Sequence, residues 1–419
     1  MRQSLLRAVF GACLVAAAAL SAGSASAADS KASSSEKVSA AVGKPLVAAQ
    51  TAMKANDLTT ALAHVHEAQA VPDRTPFDDF TINEFLANIA VGMKDYKAAA
   101  TAYEAMADSP ALPEEKKANV LTNAVLLAAN ESDWQRVIKY GEALEAMGPL
   151  DPKVASPMSV AYFNTGNAAK ATALAQSQAS AATAAGKAPD QAALDIVVRG
   201  QLKQNDYAGA AKTLETLVTN YGDANDWGEL IDMAFMTKGL HDLDALHLYR
   251  LRIATGATTP ADDYAIMAQV ASQLNYPVEA VSMIEHGMSK GVVKSGDKAS
   301  GLLAGLRPKA EKDKGSIAEF AKLAETHKTG DYDLKLAETY YGYGRYSDAA
   351  DAAQRAITKG GNKDSNDAQM VLGESLAMQG KNADAAAAFA KVSGNATTEK
   401  SAHLWTLYVQ RKGATAATQ

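Results

Sequence analysis

Residues 334–361, LKLAETYYGYGRYSDAADAAQRAITKGG, contain the clearest copy of a unit that the chain repeats. Leu336, Ala337 and Tyr340 recur at helical spacing and form one apolar stripe. Gly344 interrupts this pattern, and a second stripe, made of alanines, follows it at the same spacing. Two amphipathic helices with a glycine-containing break between them form an αα-hairpin. The stretch therefore predicts a hairpin whose small residues let two helix backbones approach closely.

The order of these residues resembles the tetratricopeptide repeat. A leucine and a small residue precede an aromatic residue, then come Gly-x-Tyr-x-x-Ala and further small residues at helical spacing. The matching positions are Leu336, Ala337, Tyr340, Gly344, Tyr346, Ala349 and Ala356. The copy departs from the family at Asp333, where a large apolar residue is usual, and at Gly361, where proline is common. Both departures weaken the expected contacts with neighbouring repeats.

Copies of this pattern occur along most of the chain, beginning near Pro45. Equivalent turns recur roughly every 36 residues, close to the ~34 of the family. The turns lie at Asn56-Asp57, Asp95-Tyr96, Asp133-Trp134, Gly166, Asn205-Asp206, Gly239, Pro277, Gly344 and Gly380. We therefore predict an all-α fold, a tetratricopeptide-like α-solenoid of about nine helix-turn-helix repeats with a C-terminal capping helix.

Composition and punctuation divide the chain into six expected segments. The glycines and charges of GVVKSGDKASGLLAGLRPKAEKDKG interrupt the rhythm of the repeats, and a helix with Trp405 and Tyr408 covers the last one. The segments are a signal peptide (1–27), a flexible leader (28–43), an N-terminal helical repeat array (44–290), an irregular hinge or degenerate repeat (291–315), C-terminal helical repeats with the capping helix (316–411) and a disordered tail (412–419).

The first 27 residues have the three parts of a secretory signal. Arg2 and Arg7 form a positive n-region, residues 8–20 an apolar h-region, and Ala25-Ser26-Ala27 a small-residue cleavage site. The apolar run is shorter than the roughly 20 residues that a membrane span needs. We expect cleavage after Ala27 and a periplasmic protein, or alternatively a secreted one, with no membrane span afterwards. Cys13 is the one cysteine, so no disulfide is expected in the mature chain.

The bulk composition excludes some classes of protein. Hydrophobic residues make up 47% of the chain and charged residues 21%, which excludes disorder for most of it. Aromatic residues make up only 6%, which suits many thin helix-on-helix contacts. The formal net charge is -6, so a nucleic-acid partner is not expected, because phosphate binding requires clustered Lys and Arg.

Catalytic and metal-binding motifs are missing from the sequence. There is no His-Glu-x-x-His, no Gly-x-Ser-x-Gly and no phosphate-binding Gly-x-x-x-x-Gly-Lys-Ser/Thr. His64 and His66 point to opposite sides of a helix, and His241 and His247 are out of phase for a shared ligand. We therefore predict no enzyme activity, no cofactor and no metal site; a hydrolytic enzyme on a helical scaffold is the weaker alternative.

A binding groove is the main functional prediction, and it follows from the resemblance. In tetratricopeptide arrays the first helix of each hairpin lines a concave groove, and a protein segment binds there. Arg199 and Lys203, one turn apart, would hold a carboxylate, and Tyr341 would offer a flat apolar contact. The residues expected in this groove are Asn88, Asn164, Arg199, Lys203, Glu338, Tyr341 and Glu374.

A second candidate surface is basic. It would contact an anionic lipid or glycan, since lysines gather there in an otherwise acidic chain. Its residues are Lys290, Lys294, Lys298, Arg307 and Lys309.

Together these features predict a periplasmic interaction scaffold or adaptor that binds a partner protein segment, in envelope assembly or transport. The alternative is a glycan- or peptidoglycan-binding envelope protein. It would need exposed aromatic rings on one face, and the dense group available is Tyr340, Tyr341, Tyr343 and Tyr346.

Overall fold

The structure is a computed structural model that describes residues 37–361 and 365–417. Within these residues all regular secondary structure is helical, and no strand occurs. The chain divides into two compact units, Met1–Gly200 and Gln201–Gln419. The predicted signal peptide, and the leader up to residue 36, lie outside the described residues. The leader was expected to reach residue 43, but the first helix already begins at Ala40.

The first unit is a series of paired helices in which consecutive helices pack together. Its helices are α1 (Ala40–Lys54), α2 (Leu58–Gln69), α3 (Pro76–Met93), α4 (Tyr96–Ala107), α5 (Glu114–Asn130), α6 (Trp134–Glu145), α7 (Pro152–Asn164), α8 (Ala168–Ala184) and most of α9 (Gln191–Lys203). Very close approach is visible where Gly141 of α6 lies against Met158 of α7, because a Cβ on Gly141 would meet the Met158 sulfur at 2.4 Å.

The second unit also consists mainly of paired helices, with one long helix in its middle that does not belong to a hairpin. Its helices are α10 (Tyr207–Asn220), α11 (Ala224–Phe235), α12 (Asp242–Thr255), α13 (Ala261–Gln273), α14 (Pro277–Ser289), α15 (Lys298–Thr326), α16 (Asp331–Gly342), α17 (Tyr346–Lys359), α18 (Ser365–Met378), α19 (Asn382–Phe389) and α20 (Ala396–Ala417). Nine hairpins, together with α15 and α20, account for the helices of the described residues. The prediction of an all-α helical repeat fold is confirmed.

The turns within the hairpins follow from local chemistry. In four hairpins the residue before the second helix is an aspartate whose side chain accepts a hydrogen bond from a backbone N–H in the first turn. The residue before each aspartate has a positive φ, which Asn adopts more readily than most residues. The pairs are Asn56-Asp57, Lys94-Asp95, Ser132-Asp133 and Asn205-Asp206.

The irregular segment expected at 291–315 is largely helical. After a loop, α15 runs without interruption for 29 residues, through Pro308. The glycine-rich composition suggested a break, but Ala299, Leu303, Leu306 and Ala310 are buried at helical spacing and maintain the helix. The C-terminal repeats, expected from residue 316, therefore have no boundary there, because residue 316 lies inside α15.

The C-terminal helix is longer than predicted. It begins at Ala396 and extends to Ala417, beyond the expected end at residue 411, so the expected disordered tail is helical up to Ala417. Only residues 418 and 419 of that tail lie outside the described residues.

The second unit closes on itself through α20. The hydroxyls of Thr397 and Thr398 both donate to Asp244 on α12, each at 2.7 Å. The indole Nε1 of Trp405 donates to the backbone oxygen of His247 at 3.1 Å, and the Trp405 side chain is fully buried. The capping helix therefore covers more than the last hairpin, because it also packs against α12, some 150 residues earlier in the chain.

Candidate functional site

The predicted groove residues of the first unit lie on its first helices. Arg199 on α9 is exposed, and its guanidinium carbon is 5.8 Å from the centroid of the half-buried Phe163 ring on α7. The exposed Asn164 is next to Phe163, and its amide donates to Val160 O at 2.8 Å. Arg199, Phe163 and Asn164 thus form one patch on two neighbouring first helices, which we call the α7–α9 patch.

Two other predicted residues are not part of this contact. Lys203 is exposed in the last turn of α9, which belongs to the second unit. Asn88 on α3 is half-buried, and its side-chain amide donates to Glu84 O at 2.9 Å. The sequence analysis did not include Phe163 among the groove residues. Its position directly before the predicted groove residue Asn164 was a signal that could have identified it.

The three predicted groove residues of the second unit do not face solvent, so this part of the prediction is wrong. Glu338 is 1% exposed, Tyr341 8% and Glu374 0%. The physical reason is that other helices cover the faces expected to be open: Arg250 of α12 contacts Glu338 and Glu374, and α14 packs against α16. Glu338 and Glu374 occupy the same position in successive hairpins, each directly after the small residue Ala337 or Gly373.

These buried carboxylates converge on Arg250 of α12. The guanidinium makes a bidentate contact with Glu279 on α14, at 2.7 and 2.8 Å. It also donates to Glu338 on α16 at 2.5 Å and to Glu374 on α18 at 2.8 Å. His247, one turn before Arg250, lies 2.8 Å from the other oxygen of Glu374. We call these five residues the ionic core.

Aromatic rings complete the surroundings of the ionic core. The guanidinium carbon of Arg250 lies 4.2 Å from the centroid of the Tyr341 ring, which supplies a cation–π contact. Lys335, one turn before Glu338 on α16, lies with its Nζ 3.6 Å from the Tyr276 ring centroid and donates to Leu274 O at 2.8 Å. Three cationic side chains thus stand among three carboxylates, which limits the net charge that has to be buried.

The ionisation of the ionic core follows from burial and from the opposite charges. Burial lowers the pKa of His247, but the attraction of Glu374 outweighs it, and this pKa rises to about 9. Burial raises the pKa of the Glu279 carboxyl. Burial lowers the pKa of Lys335 to about 8. His247 is therefore protonated at neutral pH and forms a second ion pair with Glu374.

Acidic side chains that converge on a histidine and an arginine would favour an enzyme, but an active site must also be accessible to its substrate, and the ionic core is buried. The side chains of the ionic core are at most 6% exposed. Two surface cavities of the second unit, of about 330 and 320 Å³, are lined by other residues. A substrate cannot reach the ionic core while its helices stay packed.

The aromatic group that the glycan alternative requires does not form an exposed platform. Tyr340 and Tyr341 are buried, and Tyr343 and Tyr346 are half-buried. The Tyr343 hydroxyl donates to Asp313 at 3.0 Å, and the Tyr346 ring meets the edge of Tyr341. These rings pack the hairpin instead of lining a wall.

The predicted basic surface is exposed but does not form a single cluster. Lys290, Lys294, Lys298, Arg307 and Lys309 all lie at the surface. Arg307 is paired with Glu285 on α14, at 3.1 Å.

Across the described part of the chain, no helix is both long and apolar enough to cross a membrane. In the same residues no group of three or more His, Asp or Glu side chains is arranged to hold a metal ion.

No protein-family model matches the chain, and no curated protein matches it. Solved structures that are similar include a tetratricopeptide repeat protein from Parabacteroides merdae, with 11% identity, 80% of this chain and 99% of that chain covered, and a TM-score of 0.31. The complex of Naa15/Naa10 bound to HypK-THB is similar with 14% identity, 83% of this chain and 57% of that chain covered, and a TM-score of 0.35. The P58(IPK) TPR domain is similar with 12% identity, 90% of this chain and 99% of that chain covered, and a TM-score of 0.24.

Because these identities and TM-scores are low, the likenesses carry no weight for function. The fold is assigned from features of the chain itself. Its helices are paired, small residues lie where helices cross, and the same turn recurs at equivalent positions. The chain is an all-α, tetratricopeptide-like helical repeat protein.

Proposed function

We propose that the protein is an exported scaffold that binds a segment of a partner protein at the α7–α9 patch. The observation that carries the proposal is the exposed Arg199 beside the half-buried ring of Phe163. Arginine and aromatic residues are enriched among the residues that dominate protein interfaces. The planar guanidinium carries five N–H donors in a geometry that matches the two oxygens of a partner's carboxylate.

The neighbouring residue extends this chemistry. The Asn164 amide donates to its own helix, which leaves the amide oxygen as an acceptor for a backbone N–H of the partner. The partner segment would therefore present one carboxylate to Arg199, one apolar side chain to Phe163 and a backbone N–H to Asn164. An acidic residue next to an apolar one is the pattern that we expect in the partner.

A photo-reactive amino acid at position 164 tests this proposal. Cross-linking in intact cells should capture a specific partner from position 164 and not from Lys97, an exposed position on the second helix α4. Adding Arg199→Glu should reduce the cross-link at least tenfold, whereas Lys97→Glu, a matched charge reversal, should leave it unchanged. Equal cross-linking with Arg199→Glu would contradict binding at the α7–α9 patch.

Export to the periplasm, where the partner would belong to an envelope assembly or transport system, is the second part of the proposal. It is supported by the order of Arg2 and Arg7, the apolar residues 8–20 and Ala25-Ser26-Ala27. Fractionation with N-terminal sequencing tests it: the mature chain should begin at Ala28 and be released with the periplasm. Recovery of the uncleaved chain in the cytoplasm would overturn export without affecting the α7–α9 patch.

We further propose that the chain has no catalytic role and that the ionic core is structural. The support is its burial: the substrate-accessible surface does not include His247, Arg250 or Glu374. This leaves binding as the function that the exposed residues serve.

A further inference from the structure

The loop between α14 and α15 exposes apolar side chains among lysines. Met288, at the end of α14, is 38% exposed, and Val292, in the loop, is 37% exposed. Lys290, Lys294 and Lys298 flank them and are exposed as well. We call these five residues the basic loop. One exposed turn of the chain therefore carries two apolar side chains next to three lysines.

The backbone holds the basic loop in a defined conformation. Gly291 has φ +71°, a region that favours glycine. The N–H groups of Val292 and Val293 both donate to Gly287 O, at 3.0 and 3.1 Å. Val293 is 3% exposed and anchors the loop in the core, which leaves Val292 on the outside. The exposure of Val292 is thus built into the turn.

The three lysines carry charge that the protein does not neutralise. Within the described residues none of them has an ion-pair partner, and the acidic residue of segment 288–298, Asp297, accepts the backbone N–H of Lys294 at 2.7 Å. Arg307 is nine positions after Lys298, half a helical turn out of phase, and faces Glu285. Lys309 is in phase with Lys298 but about 16 Å further along α15. The predicted basic surface therefore reduces to the basic loop.

We propose that the basic loop is a contact site for an anionic phospholipid bilayer. The lysine ammonium groups would lie among the phosphate headgroups, and Val292 with Met288 would enter the boundary of the acyl region. An anionic glycan would match the lysines but would give the exposed Val292 no role. The net charge of -6 opposes general attraction to such a surface, so the contact is local to this loop.

Vesicle sedimentation of the mature chain tests the proposal. It should bind phosphatidylcholine vesicles that contain phosphatidylglycerol and not pure phosphatidylcholine vesicles, and added salt should weaken the binding. Each lysine near an anionic surface is worth about fivefold in partition, so Lys290→Gln/Lys294→Gln/Lys298→Gln should reduce the partition constant about a hundredfold. Lys54→Gln/Lys97→Gln/Lys187→Gln, which removes the same charge from exposed lysines of the first unit, should have little effect.

Val292→Gln separates a bilayer from other anionic partners. It should weaken vesicle binding about three- to tenfold, through lost apolar burial, without changing the salt dependence. Heparin binding measured in parallel should not respond to this substitution. The proposal is overturned if the mature chain does not bind the anionic vesicles, if the loop and control triple variants bind equally, or if Val292→Gln has no effect on vesicle binding. None of these outcomes affects the α7–α9 patch.

Discussion

The Nη1 of Arg250 donates a 2.8 Å hydrogen bond to Glu374, a residue 124 positions later in the chain. Both side chains are almost completely buried, Arg250 at 1% exposure and Glu374 at 0%. A repeat array in which each hairpin contacts only its neighbours has no reason to bring such distant residues together. This contact therefore records the closure of the second unit, and several consequences can be measured.

Removing the central cation should destabilise the second unit strongly. Arg250→Met leaves three buried carboxylates without their shared partner, and such losses cost about 3–5 kcal/mol. Urea unfolding followed by circular dichroism measures this change. Arg307→Met breaks an exposed pair with Glu285 and should cost no more than about 1 kcal/mol.

Neutralising the carboxylates should repair the Arg250→Met variant. Adding Glu279→Gln and Glu338→Gln removes the two carboxylates that are left without an ion pair, while Glu374 keeps its pair with His247, so most of the lost stability should return. If the triple variant is no more stable than Arg250→Met, unpaired charge is not the cause of the loss.

The protonated His247 should make stability depend on pH. Its pKa in the folded protein, about 9, is above its unfolded value of 6.5, so its contribution is fully present below pH 6.5 and is lost as the pH rises to 9. The expected loss is on the order of 3 kcal/mol. The free energy of unfolding of wild type minus that of His247→Gln, measured across this range, isolates the contribution.

Lys335 should act in the opposite direction at higher pH. Burial lowers its pKa to about 8 from the usual 10.5, so the folded state releases this proton first and stability rises as the pH passes from 8 to 10.5. Lys335→Met should remove this rise.

The His247 prediction has its own contradicting outcome. A difference curve for His247→Gln that is flat between pH 6.5 and 9 would show that His247 is not paired with Glu374 as described.

Two glycines should respond in opposite ways to the same substitution. A Cβ on Gly373 would lie 2.5 Å from the buried Phe389 ring, so Gly373→Ala should cost about 1–3 kcal/mol. Gly305, inside α15, has no neighbour within 4 Å of a Cβ, so Gly305→Ala should stabilise by about 0.5–1 kcal/mol. Thermal unfolding of both variants measures the contrast. Equal shifts would mean that helix propensity alone governs both positions.

The closure by α20 should depend on Trp405. Trp405→Ala removes a fully buried side chain that stacks on Phe389, and such truncations cost about 3–5 kcal/mol. Amide exchange should accelerate on α12 as well as on α20, because the two helices share the Asp244 and His247 contacts. His403→Ala, at an exposed pair with Glu215, is the control and should change stability by less than about 1 kcal/mol. Unchanged exchange on α12 would contradict the closure.

The exposure of the candidate site residues was predictable only where a hairpin contacts no helix beyond its neighbours in the chain. Arg199 and Asn164 are exposed because their environment is set by neighbouring first helices of the same type. Glu338 and Glu374 have the same sequence signal, a polar residue off the apolar stripe, but they are buried. They are buried because they contact Arg250. The apolar spacing of α12 does not predict that this guanidinium contacts residues 29, 88 and 124 positions later in the chain.

The sequence by itself determined the helices, their pairing and their turns, because these depend on residues close together in the chain. Apolar spacing sets each helix face, and an αL residue followed by an aspartate cap, as in Asn56-Asp57, ends one helix and begins the next. Only the tertiary structure decided which helix faces stay open. That choice depends on packing between distant helices, such as α20 on α12, whose free energy is summed over contacts that no local pattern encodes.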